Sequence, residues 1–286
     1  MTQQRDKTKQ SRELGPQDDL NLNDREEQEV FQRIRPNAVV IHEVIRIEGE
    51  SELRRSTSAL AWSGLAAGLS MGFSLVGRGL LEAHLPDQPW RSIITSLGYS
   101  LGFLIVIMGR QQLFTENTVT AILPLLAHRS RRNWMRVSRL WGIVLLMNLL
   151  GTLIVAWGVG HTSVFPPETQ AAFNHIGMRA IEGGFWNTLV GGIFAGWLIA
   201  LMVWLLPAAE SARIWIIIII TSFIGLGELS HVIAGSVEAL YVVMRGTASW
   251  GTYFGGFLIP ALLGNIIGGV SLVAMLNHAQ VAPEKS

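Results

Sequence analysis

From residue 57 onward the chain consists of long apolar runs separated by short polar connections. Uncharged runs occupy 56–77, 92–109, 140–160, 183–207, 214–227 with a continuation beyond it, and 246–282. A hydrocarbon layer about 30 Å thick takes about 20 residues of α-helix to cross, so each run is a candidate spanning helix. The pattern predicts an all-α membrane protein with about six crossings.

Two runs do not fit a plain helix. The second stays largely apolar from 92 to 127 apart from Arg110-Gln111-Gln112 and Thr115-Glu116-Asn117. As one helix it would be roughly 54 Å long at 1.5 Å per residue, far more than a bilayer needs. The spacing predicts one crossing made of two half-helices, joined by an irregular loop at 113–117. The fifth run repeats this: 214–224, then Gly225-Leu226-Gly227-Glu228-Leu229-Ser230-His231, then apolar residues to Met244. Irregular backbone at membrane depth is tolerated where it is buried in protein or lines a cavity. Two interrupted segments in corresponding positions of two three-segment halves point to a transport site.

Charge sharpens this picture. Residues 1–57 hold 12 of the 21 acidic residues and 10 of the 22 Lys and Arg. The rest of the chain keeps its few charges in the connections, which a soluble domain would not do. Connection 128–139 holds five Arg and Arg54-Arg55 precede the first run, whereas 82–91, 161–182 and 245–252 hold one Arg each. The positive-inside rule then places both termini and the Arg-rich connection in the cytoplasm. Trp90, Trp134, Trp157, Trp186 and Trp250 lie near segment ends, as an aromatic belt would. The expected domains are a cytoplasmic tail 1–57, a transmembrane domain 58–278 and a short cytoplasmic tail 279–286. Within the first tail, residues 1–24 have a disordered composition. Val40, Ile41, Val44, Ile45 and Ile47 recur among Glu and Arg, as in an amphipathic helix over 38–55.

Composition also excludes chemistry. With no Cys there is no disulfide, cysteine-ligated metal or thiol nucleophile. The charged N-terminus has no apolar signal-peptide core, and a net charge of +1 offers nothing to nucleic acid. His42, His84, His128 and His278 show no ligand spacing, so neither a metal nor a cofactor is expected.

Individual residues carry more. His231 is ionisable inside a membrane segment, a functional hypothesis by default, with a histidine satisfied by a carbonyl as the alternative. Thr115 reads as a substrate donor or as a helix cap. Asn265 is expected to support the loops by hydrogen bonding, and Gly264, Gly268 and Gly269 to permit close helix packing. Arg78 is expected to snorkel toward the interface, and Glu116 to pair with Arg110 or with the Arg-rich connection. Gly68-Leu69-Ser70-Met71-Gly72 matches the G-x-S-x-G nucleophile pattern, with His231 as a possible base for an intramembrane serine protease. That motif needs a strand-to-helix turn, and here it sits inside an apolar run, where small residues for packing explain it better.

Several motifs occur in order: Leu113-Phe114-Thr115 with Asn117-Thr118-Val119, then His231, then Ile259-Pro260 with Gly264-Asn265-Ile266-Ile267-Gly268-Gly269. Over 56–278 they resemble the formate/nitrite transporter family. Gln111-Gln112 and the long charged N-terminus are similar to its YfdC-like branch of bacterial inner-membrane proteins. The resemblance implies an aquaporin-like protomer of two inverted three-helix repeats, assembled as a homopentamer in the bacterial inner membrane. It implies a channel or transporter rather than an enzyme, passing a small monovalent anion such as formate or nitrite together with, or in exchange for, a proton.

An isolated carboxylate in a low dielectric costs on the order of tens of kcal/mol, and the neutral acid far less. A titratable donor between apolar constrictions, the place of His231 facing Thr115, answers that cost. By family position one constriction maps to Leu113, Phe114 and Ile199, and the other to Phe103 and Ile224 with Tyr99 just outside. The chain departs from the family at four places. Ser230 replaces an acidic residue before the histidine, leaving Glu228 as a nearby supporting carboxylate. Gly196 stands where Asn is common. No Lys occurs in 161–183, which makes Arg179 and His175 the vestibule candidates. Glu116 stands where many members have a small polar residue. These departures leave open a non-conducting regulatory or scaffolding protein of the same fold.

Overall fold

The structure, a computed structural model, describes residues 36–281. The expected tail segments 1–35 and 282–286 lie outside the described residues. Among the described residues every regular element is helical.

Helix α1 (Ala38–Arg54) starts where the Asn37 side chain accepts the Val40 N–H, and α2 (Thr57–His84) where Ser56 accepts that of Ala59. These are N-cap bonds that satisfy otherwise orphaned donors. Then follow α3 (Arg91–Met108), α4 (Phe114–Thr120), α5 (Ile122–Ala127) and α6 (Arg131–His161), the last capped by Ser130. Next come α7 (Pro167–Glu182), α8 (Gly184–Leu205), α9 (Arg213–Leu226) and α10 (Ala234–Met244). The final apolar run is helical from Trp250 to Val281. There α11 (Ile259–Ile266) sits between π-helical stretches at Thr252–Leu258 and Ile267–Met275, and α12 (Leu276–Val281) follows. Among the described residues five helices are long and apolar enough to cross a membrane: Thr57–His84, Arg91–Met108, Arg131–His161, Gly184–Ala208 and Thr252–Ser271. The fifth apolar run supplies two shorter pieces, α9 and α10.

The first interruption differs from the expected one. It lies at 109–113, and Thr115, Glu116 and Asn117 belong to α4 rather than to a loop. Polar residues lower hydropathy wherever they stand, but an acid in the first turn favours a helix start. The stop is made earlier, by Gly109 and a left-handed Arg110. The piece before it is also no half-helix, since 18 residues reach about 27 Å. Similarly, 161–182 is not a plain connection: its second part is α7. Thr169, Ala172, Phe173, Ile176, Gly177 and Ile181 form the buried face of that helix.

The two interruptions are the same turn built twice. Gly109 ends α3 at φ −77° and ψ 0°, and Gly227 ends α9 at φ −79° and ψ −1°. The next residues, Arg110 and Glu228, both take φ 50°, a region non-glycine residues seldom occupy. The Gln111 N–H then donates to Val106 O at 2.9 Å, and the Leu229 N–H to Ile224 O at 3.0 Å. Packing follows the same plan. Helix α2 lies on α3 and α6, α8 lies on the last helix, and α3 meets α9. The short helix after each break crosses over: α4 packs on α8 and the last helix, and α10 packs on α6 and α2.

Glycines let these helices touch backbone to backbone. A Cβ on Gly68 would stand 2.2 Å from Asn148 O, and one on Gly196 would stand 2.4 Å from Asn265 O. A side chain as large as Asn at 196 would therefore push the last helix away. Gly264 and Gly268 meet α8 as closely, and Gly269 meets Thr118. Gly196→Ala is expected to force α8 from the last helix at a cost of about 1–3 kcal/mol. It should read as a thermal unfolding midpoint several degrees lower in detergent. An unchanged midpoint would mean that the helices have room to part.

Candidate functional site

Each break hangs on one asparagine. Asn148, on α6, accepts the Phe114 N–H at 2.9 Å and donates to Gly64 O at 2.7 Å and Gln112 O at 2.9 Å. Asn265, on α11, accepts the Val232 N–H at 2.9 Å and donates to Gly192 O and Ser230 O, both at 2.8 Å. In both cases the carboxamide bridges a carbonyl and the N–H two residues later, so each asparagine satisfies two backbone groups of its break. Both asparagines are completely buried.

That scaffold brings Thr115 and His231 together. Thr115 Oγ1 lies 2.8 Å from His231 Nε2, and neither residue has exposed surface. His231 Nδ1 accepts the Ala234 N–H at 3.1 Å. A neutral ring therefore carries its hydrogen on Nε2 and donates it to Thr115 Oγ1, leaving the threonine hydroxyl hydrogen available for an acceptor. Phe103 meets His231 edge-on, with centroids 4.9 Å apart, and Tyr99 lies tilted against Phe103 with centroids 5.4 Å apart. Leu113, Phe114, Ile199 and Ile224 are all buried, and the Phe114 ring faces Trp141 at 5.6 Å. A polar pair thus stands inside an apolar enclosure.

On the α7 side the enclosure is capped by charges. Arg179 Nη2 lies 2.7 Å from Glu228 Oε2, while Arg78 reaches Glu228 Oε1 at 3.5 Å and Glu238 Oε1 at 3.3 Å. His175 Nδ1 sits 2.6 Å from Glu82 Oε1. Arg78 does not snorkel: its side chain is only 12% exposed and Glu238 only 7%. Two carboxylates hold the guanidinium inward. A small cavity of about 20 Å³ lined by Tyr99, Ile224, Arg78 and Glu238 adjoins a larger one of about 320 Å³. The two share Arg78, Ile176, Arg179 and Glu228. Both vestibule candidates, Arg179 and His175, face the larger cavity already tied to carboxylates.

On the α1 side a cavity of about 470 Å³ is lined by Glu48, Glu52, Arg110, Gln111, Glu116 and Arg213, among others. Glu116 makes no ion pair with Arg110 or with the Arg-rich connection among the described residues, so the expected pairing is not found. Gln112 Nε2 instead donates to Glu52 Oε2 at 2.7 Å, and Asn117 Nδ2 to Gln112 Oε1 at 3.1 Å. These bonds tie α1 to the helix that carries Thr115.

The profile of the formate/nitrite transporter family matches residues 39–279. The chain belongs to the formate/nitrite transporter family. It is 46% identical over 254 residues to the inner membrane protein YfdC of Escherichia coli (strain K12), covering 89% of this chain and 82% of that protein. It is 29% identical over 206 residues to the uncharacterized transporter YrhG of Bacillus subtilis (strain 168), covering 67% and 73%. A solved pentameric formate channel with formate bound shares the fold, with a TM-score of 0.68 at 22% identity over 80% of this chain and 100% of that one.

Membership of the formate/nitrite transporter family removes the protease alternative, because the family consists of transporters and channels rather than enzymes. Geometry agrees. Both ring nitrogens of His231 are engaged, by Thr115 and by Ala234, and neither by Ser70. Ser70 lies within the uninterrupted α2, where Gly68 and Gly72 pack on Asn148 and Val155.

Two residues escaped the sequence reading. Asn148 is a lone amide in an otherwise apolar run, the counterpart of Asn265. Glu238 is an ionisable residue inside the apolar stretch before Met244, a signal that by itself marks a functional candidate.

Proposed function

We propose that the protein passes a small monovalent anion of the formate or nitrite kind across the bacterial inner membrane, linked to a proton, through one pore in each protomer of a homopentamer. The observation that carries this reading is the buried Thr115–His231 pair between the two breaks. Support for the setting comes from the inner-membrane relative and from the pentameric channel with formate bound. The Lys and Arg distribution supports cytoplasmic termini.

An entering anion loses its water between Phe103 and Ile224 on one side and Leu113, Phe114 and Ile199 on the other. The Thr115 hydroxyl, which accepts the His231 Nε2–H, turns its own hydrogen to the anion in place of that water, a bond stronger to an anion than to a neutral group. A proton taking the same route leaves no bare charge between the constrictions. Asn265 and Asn148 hold the breaks in register. Glu228 fixes the mouth on the α7 side, where Arg179 and His175 meet the incoming ion.

The test is flux. Protein reconstituted in liposomes, with a pH-sensitive dye inside, is exposed to gradients of formate, nitrite, acetate, lactate or hydrosulfide. Flux is expected with at least one. His231→Asn should abolish it or change its pH dependence, and Thr115→Val should slow it about tenfold or more by removing a hydrogen bond to an anion. No flux with any of the acids, in folded pentamers, would sink the reading. Unchanged flux in both His231→Asn and His231→Phe would remove His231 from the mechanism. The ion pairs that occupy Arg179 and His175 favour one second reading, a non-conducting regulatory or scaffolding member of the fold.

A further inference from the structure

We propose that the groove between the end of α1 and the start of α6 binds the phosphate group of an anionic phospholipid. The groove is a cavity of about 330 Å³ lined by Leu53, Arg54, Arg132, Met135, Arg136 and Arg139. Four arginines line it and no carboxylate does. The floor is built, because Arg139 Nη2 donates to Leu53 O at 3.1 Å and to Arg55 O at 2.8 Å, fastening α6 to the end of α1. Arg54 turns back to Glu50 at 2.9 Å. Arg132 and Arg136 have no carboxylate within 4 Å among the described residues, so two planar forks remain unspent. That donor geometry matches the oxygens of a phosphate ester.

The surroundings decide between a lipid and a free phosphate. Met135, Arg139, Gly142, Leu146, Leu150 and Ile154 recur at three- and four-residue steps, so they share one face of α6. Beyond the arginines that face is apolar and exposed, with Leu146 at 66% and Ile154 at 46%. Met135, 57% exposed, lines the groove itself. A free phosphate needs neither feature. A headgroup held by arginines with its acyl chains along this face uses both, as basic pockets beside spanning helices do. The positive-inside bias accounts for many arginines in this connection, but not for their lining one groove with two of them unpaired.

Native mass spectrometry of the full-length protein in a neutral detergent tests the proposal, with added phosphatidylglycerol, phosphatidylcholine or inorganic phosphate. Phosphatidylglycerol adducts are expected to form preferentially. The double variant Arg132→Gln/Arg136→Gln should weaken them about thirtyfold, the worth of two arginines at an anionic surface. Equal binding of phosphatidylcholine, or unchanged phosphatidylglycerol affinity in the double variant, would overturn the proposal. So would inorganic phosphate binding as tightly as the lipid, which would make this a free-anion site. Loss of the oligomer on substitution would place a second copy of the chain in the groove and also end the lipid reading. The headgroup comparison on the unaltered protein stands whether or not the variant folds.

Discussion

Asn148→Leu and Asn265→Leu are each expected to yield protein that cannot hold one of its two breaks. Each asparagine makes three hydrogen bonds to backbone groups, all between 2.7 and 2.9 Å and all shielded from water. Leucine fills a similar volume and satisfies none of them. A buried polar group left without a partner costs about 1–3 kcal/mol, so three together approach the whole stability of an ordinary domain, about 5–15 kcal/mol. The measurement is the fraction of extracted protein that stays monodisperse on heating. Both variants should lose most of it, by similar amounts, because the two sites are built alike. Asn→Asp at either position keeps the acceptor, loses both donors and buries a carboxylate, so it should be no milder. A folded Asn148→Leu with the parent's midpoint would mean that water or another side chain takes over the bonds.

Arg78→Met should be nearly as damaging, for an electrostatic reason. It strands the Glu238 carboxylate, 7% exposed, without the guanidinium that reaches it at 3.3 Å. Removing one partner of a buried pair costs about 3–5 kcal/mol, whereas replacing both by apolar groups is often neutral. The double variant Arg78→Met/Glu238→Met is therefore expected to recover most of the midpoint lost by Arg78→Met alone. Glu228 is less affected, because it keeps Arg179 at 2.7 Å. If the single substitution leaves the midpoint unchanged, or the second one fails to restore it, the pair is not what holds this mouth together.

Arg78 also shows where sequence reasoning stops. Hydropathy placed the apolar runs, because apolar side chains must face lipid or protein wherever they lie, and it flagged both interruptions. It misplaced the first. The Thr115-Glu116-Asn117 cluster is polar whether it forms a loop or the opening turn of a helix, and only the left-handed Arg110 marks the stop. The same Gly-plus-charged dipeptide, Gly109-Arg110 and Gly227-Glu228, was present in both breaks and is the better signal. Helix α7 was written in its apolar spacing, between Pro167 and Gly183, yet too polar overall to stand out in a search for spans. The pairings among Arg78, Glu228, Glu238 and Arg179 join residues far apart in the chain. No local pattern encodes such a meeting; it exists only once α2, α7 and α10 are packed.

The shared turn at Arg110 and Glu228 has an electrical consequence. The two breaks present the same backbone, but the residue at the left-handed position is a cation on one side and an anion on the other. Arg110 makes no ion pair among the described residues and lines a cavity that also holds Glu48, Glu52 and Glu116, while Glu228 is paired with two arginines. If an ion passes between the breaks, it climbs a different potential from each end, although the two turns share one backbone geometry. Such a pore would rectify, conducting more readily under one polarity of membrane voltage than under the other, with the charges at the two turns contributing to the preferred direction.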